Sequence, residues 1–148
     1  MTRGNEGGEK EAMAGMGVRY LLDTCVLIDH LRGYPQAREW LRDVTRQSPA
    51  LELAYSVISL AELFSGLSGA SPENEEAVGR LVSTMKAVRV GEDIARRGGM
   101  YVQKWGASHG VKLPDALIAA TAGYLGVPLV TRDERHFPMD DVRVVVPY

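Results

Sequence analysis

Cysteine is almost missing from this chain. Cys25 stands alone among 148 residues, so no internal disulfide can form. That thiol and three histidines do not make the spacing of a Cys/His metal site. A reducing cytoplasm is the expected compartment. No apolar run approaches the roughly 18 residues of a membrane span. The first residues are polar and Gly-rich, without the apolar core of a signal peptide. Net charge is scarce as well. A formal value of −2 argues against broad coating of nucleic acid. It leaves room for an enzyme that meets phosphates with metal ions and a local basic rim. Internal repeats and low-complexity tracts are lacking.

What is present suits one globular domain, 45% hydrophobic and 24% charged, long enough to bury a core unaided. Met1 to about Gly17 reads as a flexible tail, Gly- and Glu-rich, in which Met13 or Met16 could be the true start. Residues 18–148 read as the domain. The pattern predicts a strand over 18–22 and a helix from Thr24 to Leu31 that stops at Gly33. A second helix follows Tyr34-Pro35, with Ala37, Trp40, Leu41 and Val44 on one face and Arg38, Arg42 and Arg46 on the other. A strand over 53–57 leads to a helix striped with Leu60, Leu63, Phe64 and Leu67. Ser71-Pro72-Glu73 starts a helix to about Ala87. A short strand over 88–90 and a helix over 92–108 come next. The helix 114–125 is apolar nearly all round and rich in alanine, as a helix lying close on a sheet should be. Strands at 127–131 and 142–146 finish the chain. This alternation implies a parallel sheet covered on both faces, a three-layer α/β/α domain.

Four acids fall just after strands or in first helical turns: Asp23, Glu62, Asp115 and Asp133. In a parallel α/β sheet, ligands bind beyond the carboxyl ends of the strands. Carboxylates gathered there are poor nucleophiles but good ligands for hard divalent cations. The pattern points to a metal-dependent phosphodiester hydrolase. Each acid also has a plain structural role open to it. Asp23 could cap the first helix. Ser59-Leu60-Ala61-Glu62 matches a capping box. Asp115 follows Pro114 where the helix dipole favours an acid. Asp133 could stabilise a turn. Convergence of all four would be costly without a cation, so the set is either a coincidence of caps or a metal site.

The segments Leu22-Asp23-Thr24-Cys25-Val26-Leu27-Ile28-Asp29, Ser59-Leu60-Ala61-Glu62-Leu63, Leu113-Pro114-Asp115-Ala116-Leu117-Ile118-Ala119-Ala120-Thr121-Ala122 and Leu129-Val130-Thr131-Arg132-Asp133-Glu134-Arg135-His136-Phe137 resemble the PIN-domain ribonucleases. Within that family they are similar to VapC-type toxins of type II toxin–antitoxin pairs. The resemblance covers residues 18 to 147 in order. Cys25 departs from it, since Ser or Asn is commoner there; a small thiol packs much like its neighbours. The resemblance implies five parallel strands in the order 3-2-1-4-5, Mg²⁺ or Mn²⁺ as cofactor and RNA as substrate. It makes Asp23, Glu62, Asp115 and Asp133 metal ligands and catalytic residues, with Thr24 and Thr131 supporting them. Activated water would attack phosphorus in line, leaving 5′-phosphate and 3′-hydroxyl ends. An antitoxin protein and a second copy of the chain are the implied partners, with the stripe Leu60, Leu63, Phe64, Leu67 and Trp40 as a groove for a partner helix, or else as plain core. The alternatives are a non-toxin RNA-processing PIN domain and a non-catalytic binding module of the same fold.

Other residues are weaker candidates. Asp29 reads as a solvated helix acid and His136 as a packing or loop-fixing residue. A Cys25 thiol nucleophile with His30 or His109 has no signature behind it. Arg96, Arg97, Lys104, Lys112, Arg132 and Arg135 could line an RNA path, the first three reading better as a solvated face. A phosphoacceptor receiver domain needs an acid after the third strand, where Val88-Arg89-Val90-Gly91 has none. A haloacid-dehalogenase-type phosphatase needs a second Asp at the position of Cys25.

Overall fold

Five short strands build the sheet: β1 (Val18–Leu22), β2 (Glu52–Ser56), β3 (Lys86–Val88), β4 (Leu129–Val130) and β5 (Val144–Val145). The structure, a computed structural model, describes residues 17–47, 52–65 and 72–148. The tail Met1–Met16 and Leu67 lie outside the described residues. All four pairings are parallel and the spatial order is β3-β2-β1-β4-β5, as the resemblance implies. The connections run through six helices: α1 (Thr24–Leu31), α2 (Pro35–Gln47), α3 (Val57–Ser65), α4 (Pro72–Val82), α5 (Glu92–His109) and α6 (Leu113–Leu125).

Side chains alternate across a strand, so each strand feeds two cores. Leu21, Ala54 and Leu129 face one way and pack with Ile94 and Tyr101 of α5 and Ile118, Ala119 and Ala122 of α6. Leu22, Leu53, Tyr55 and Val130 face the other way. They meet Val26 and Leu27 of α1, Val44 of α2, Leu63 of α3 and Val78 and Leu81 of α4. Alanines along α6 let it approach its neighbours closely. Gly98 of α5 serves the same end, since a Cβ there would sit 2.7 Å from Leu117 Cδ2. Gly33 and Gly126 end α1 and α6 with φ of +78° and +70°, a region that favours glycine. No helix among the described residues is long and apolar enough to cross a membrane.

The strands expected over 127–131 and 142–146 shorten to Leu129–Val130 and Val144–Val145, and three further boundaries differ from the sequence reading. The fourth helix stops at Val82 rather than Ala87. There the hydroxyls of Ser83 and Thr84 take the carbonyls of Arg80 and Leu81, and such local bonds compete with the helix. The third strand therefore begins at Lys86 and ends at Val88, two residues earlier than expected. The third helix begins at Val57, directly after β2, with the Ser56 hydroxyl accepting the Ile58 N–H at 3.0 Å. Ser59 is thus inside the helix and fully buried, so Ser59 and Glu62 are not a capping box. The expected apolar stripe of that helix divides. Leu63 is fully buried in the core, Leu60 and Trp40 are partly buried against it, and Phe64 is 48% exposed.

Candidate active site at the carboxyl ends of the strands

The strand order reverses between β1 and β4, and the crevice beyond their carboxyl ends is where this architecture binds ligands. Asp23 stands at that point. Its backbone N–H bonds the Val130 carbonyl at 2.9 Å, which fixes it to the end of β4. It is the N-cap of α1, and its Oδ1 accepts the Thr24 N–H at 2.8 Å. So the expected cap exists, but it accounts for only one oxygen. The other, Oδ2, accepts the Thr131 hydroxyl at 2.8 Å and lies 3.4 Å from Cys25 Sγ. Asp23 is 5% exposed. Burial raises its pKa above the ordinary carboxylate value, its hydrogen bonds to Thr131, Cys25 and Thr24 oppose that, and the charge of Glu62 adds to it.

Glu62 lies on the second turn of α3, half-buried. Thr24 Oγ1 bonds its Oε1 at 2.7 Å and Ser59 Oγ at 2.8 Å. A carboxylate only accepts, so the single Thr24 proton belongs to Glu62 and the serine supplies the second bond. Asp115 sits in the first turn of α6, as Pro114 before it dictates. Its pKa is pushed up to about 6, first by burial and then by Asp23, Glu62 and Asp133, while His136 pulls it down. His136 Nδ1 is 3.7 Å from Asp115 Oδ2. The 3-10 turn Glu134–His136 brings it there, and its side chain is more than half exposed, which leaves the loop-fixing role rather than the packing one. Asp133 is exposed at the head of that turn, its N–H bonded to Thr131 Oγ1 at 3.0 Å.

The fold thus brings Asp115 within electrostatic reach of the other three acids. Among the described residues no three His, Cys, Asp or Glu side chains stand close enough together to hold a metal ion as they are placed. Arg80, Arg96 and Arg132 pair with Glu76, Glu92 and Asp29 rather than with any of the four. The donor set is four carboxylates backed by hydroxyls, which suits a hard divalent cation. The raised pKa of Asp115 marks a negative charge that a cation there would offset.

Asp29 and Arg132 were misjudged from sequence. Asp29 is not solvated but 1% exposed, paired with Arg132. Arg132 is therefore committed to Asp29 rather than free to line an RNA path. Cys25 is half-buried beside the acids, and burial and Asp23 push its thiol up to about 12, which removes any role as a thiolate. A helical apolar pattern hides a buried acid, and only the later arginine signals it. Ser59 also went unrecognised, because its spacing to Glu62 imitates a cap. The basic residues of α5 are engaged away from the acids. Arg96 pairs with Glu92 at 3.1 Å, and Lys104 lies over the Trp105 ring. A cleft of about 850 Å³ opens along that face, and none of the four acids lines it.

A family model described as "PIN domain" matches residues 20–142. Ribonuclease VapC10 of Mycobacterium tuberculosis is 42% identical over 120 residues, covering 80% of this chain and 86% of that protein. Among solved structures, a toxin–antitoxin complex from Klebsiella pneumoniae superposes with a TM-score of 0.67 at 30% identity, covering 87% of this chain and 98% of that one. A DNA-bound VapBC from Salmonella typhimurium gives 0.72 at 26% identity, covering 86% and 97%. The motifs, the strand order and these likenesses agree: this chain belongs to the PIN-domain family and, within it, to the VapC ribonucleases.

Proposed function

We propose that this protein is a divalent-metal-dependent endoribonuclease and the toxin of a toxin–antitoxin pair, acting in the cytoplasm with Mg²⁺ or Mn²⁺. Residues 18–148 are its working domain. The observation that carries the reading is Asp23: a buried carboxylate at the switch point of the sheet, held by Thr131 just beyond β4 and coupled to Glu62 and Asp115. Helix capping needs none of those long-range partners.

Asp23, Glu62, Asp115 and Asp133 would hold the metal. A divalent cation there supplies the charge that lowers the pKa of a water and stabilises the leaving oxygen of the RNA. The residues of the chain do the placing. Thr131 holds Asp23, Thr24 holds Glu62 with Ser59 behind it, and Pro114 sets Asp115 at the head of α6. His136 stands beside Asp115 at the open side. Lys112 and Arg135, both exposed and close in sequence to Asp115 and Asp133, are the cations best placed to meet phosphates. Single-stranded or loop RNA suits such a rim, because its bases and backbone can be splayed into a groove. The likeness to solved toxin–antitoxin complexes supports an antitoxin partner, with Phe64 and Leu60 on α3 as the apolar part of the antitoxin surface; a homodimer belongs to the same reading.

The test is cleavage of a structured RNA. Wild type should cut it with Mn²⁺ or Mg²⁺ and stop in EDTA. Asp115→Asn should abolish cutting while its circular dichroism matches wild type. Undiminished cleavage by Asp115→Asn would overturn the four-acid assignment.

A further inference from the structure

Asp29 lies in α1, six residues beyond Asp23, and is 1% exposed. A carboxylate that deep needs full compensation. Three bonds provide it. Arg132 Nη2 donates to Oδ1 at 3.1 Å, Arg132 Nε pairs with Oδ2, and the Tyr148 hydroxyl donates to Oδ2 at 2.8 Å. The arginine presents two N–H groups to two oxygens, the planar fork that fixes geometry as well as charge.

The arginine's place in the chain gives the pair its meaning. Arg132 stands between Thr131 and Asp133. The Thr131 hydroxyl donates to Asp23 and accepts the Asp133 N–H. Two acids of the site thus hang on one threonine, and the residue next to that threonine is bolted to α1. Cys25 of the same helix also reaches the turn, with its Sγ 3.4 Å from Thr131 Oγ1 and hydrogen-bonded to the Arg132 backbone, but the Asp29–Arg132 pair is the charged tie. We infer that Asp29 is a positioning residue of the acidic site, acting through Arg132 to hold the turn that carries Thr131 and Asp133. It touches neither substrate nor cation. It rests on the nuclease reading above, since the property it tunes is the geometry of the four acids.

Partners that orient metal-binding groups typically cost about 10–100-fold in affinity or activity when removed. Asp29→Asn should therefore bind Mn²⁺ about tenfold more weakly by calorimetric titration and lose about tenfold in kcat, with KM nearly unchanged. Arg132→Lys keeps the charge, loses the fork and should shift both readouts in the same direction. Tyr148→Phe is the mild variant. It leaves the Asp–Arg fork intact, so it should fold and weaken Mn²⁺ binding less than Asp29→Asn. The double variant Asp29→Asn with Arg132→Gln restores an uncharged hydrogen-bonding pair and should recover part of the Mn²⁺ affinity. Should Asp29→Asn prove unfolded, a wild-type-like Tyr148→Phe together with wild-type Mn²⁺ affinity in Arg132→Lys overturns the inference. Folded variants that melt earlier yet bind Mn²⁺ and turn over like wild type also overturn it, leaving a plain stabilising pair. A wild type that neither binds Mn²⁺ nor cuts RNA instead overturns the nuclease reading, and this inference with it.

Discussion

Asp115, like Asp23, is an acid whose ionisation the fold resists. Its native pKa of about 6 exceeds its ordinary value of 3.8. The native state therefore binds more protons than the unfolded chain between those values, and stability falls as pH rises through that window. Below the unfolded value the favourable contribution is complete; above about pH 6 it is gone. In EDTA, wild type should lose melting temperature from pH 5 to pH 7 relative to Asp115→Asn, and the variant should be the more stable protein at pH 7. A gain of about 1 kcal/mol would show as roughly 3 °C in a chain of this size. A variant that tracks wild type at both pH values would mean that Asp115 is solvated and uncoupled. The four acids were legible as a set because each follows an element whose end the sequence marks. Asp29 was not legible. Its charge looks like surface on a short helix, and the arginine that explains it is 103 residues away.

Elements were read well where pattern and packing agree. α1 with its Gly33 stop, α5 and α6 fall where periodicity puts them, because apolar patterning and burial coincide there, while the strand order is the one that the family resemblance implies. The errors sit where side chains compete for backbone groups: Ser83 and Thr84 cut α4 short, and Ser56 lets α3 start without a loop. The packing of α5 on α6 gives a paired test at two adjacent glycines. A Cβ at Gly98 meets Leu117 at 2.7 Å, at 3.3 Å and, on the backbone Cα, at 3.4 Å, whereas one at Gly99 meets nothing within 4 Å. Alanine gains about 1 kcal/mol over glycine inside a helix, and overpacking costs about 1–3 kcal/mol. Gly99→Ala should raise the melting temperature by roughly 3 °C. Gly98→Ala should lose that gain or fall below wild type. Equal stabilisation by both would mean that the two helices stand further apart.

The molecule as a whole answers whether its acids are a metal site or a set of caps. A cation that binds only the native state stabilises it by about 2.7 kcal/mol at a hundredfold excess over Kd. Melts in Mn²⁺ against EDTA should show that gain for wild type and much less for Asp23→Asn or Asp115→Asn. Equal gains in all three proteins would make the acids caps. The bond from Thr131 to Asp23 spans 108 residues of sequence, and that span has a consequence for how the protein is made. A ribosome that has just added Asp23 must add the whole of this interval before the hydroxyl that holds it exists. At about 5–20 residues per second that takes on the order of ten seconds. Three of the four acids have already been added by then, without the threonine that holds Asp23. On the nuclease reading, a stop codon anywhere before Thr131 should release a fragment that threatens no RNA.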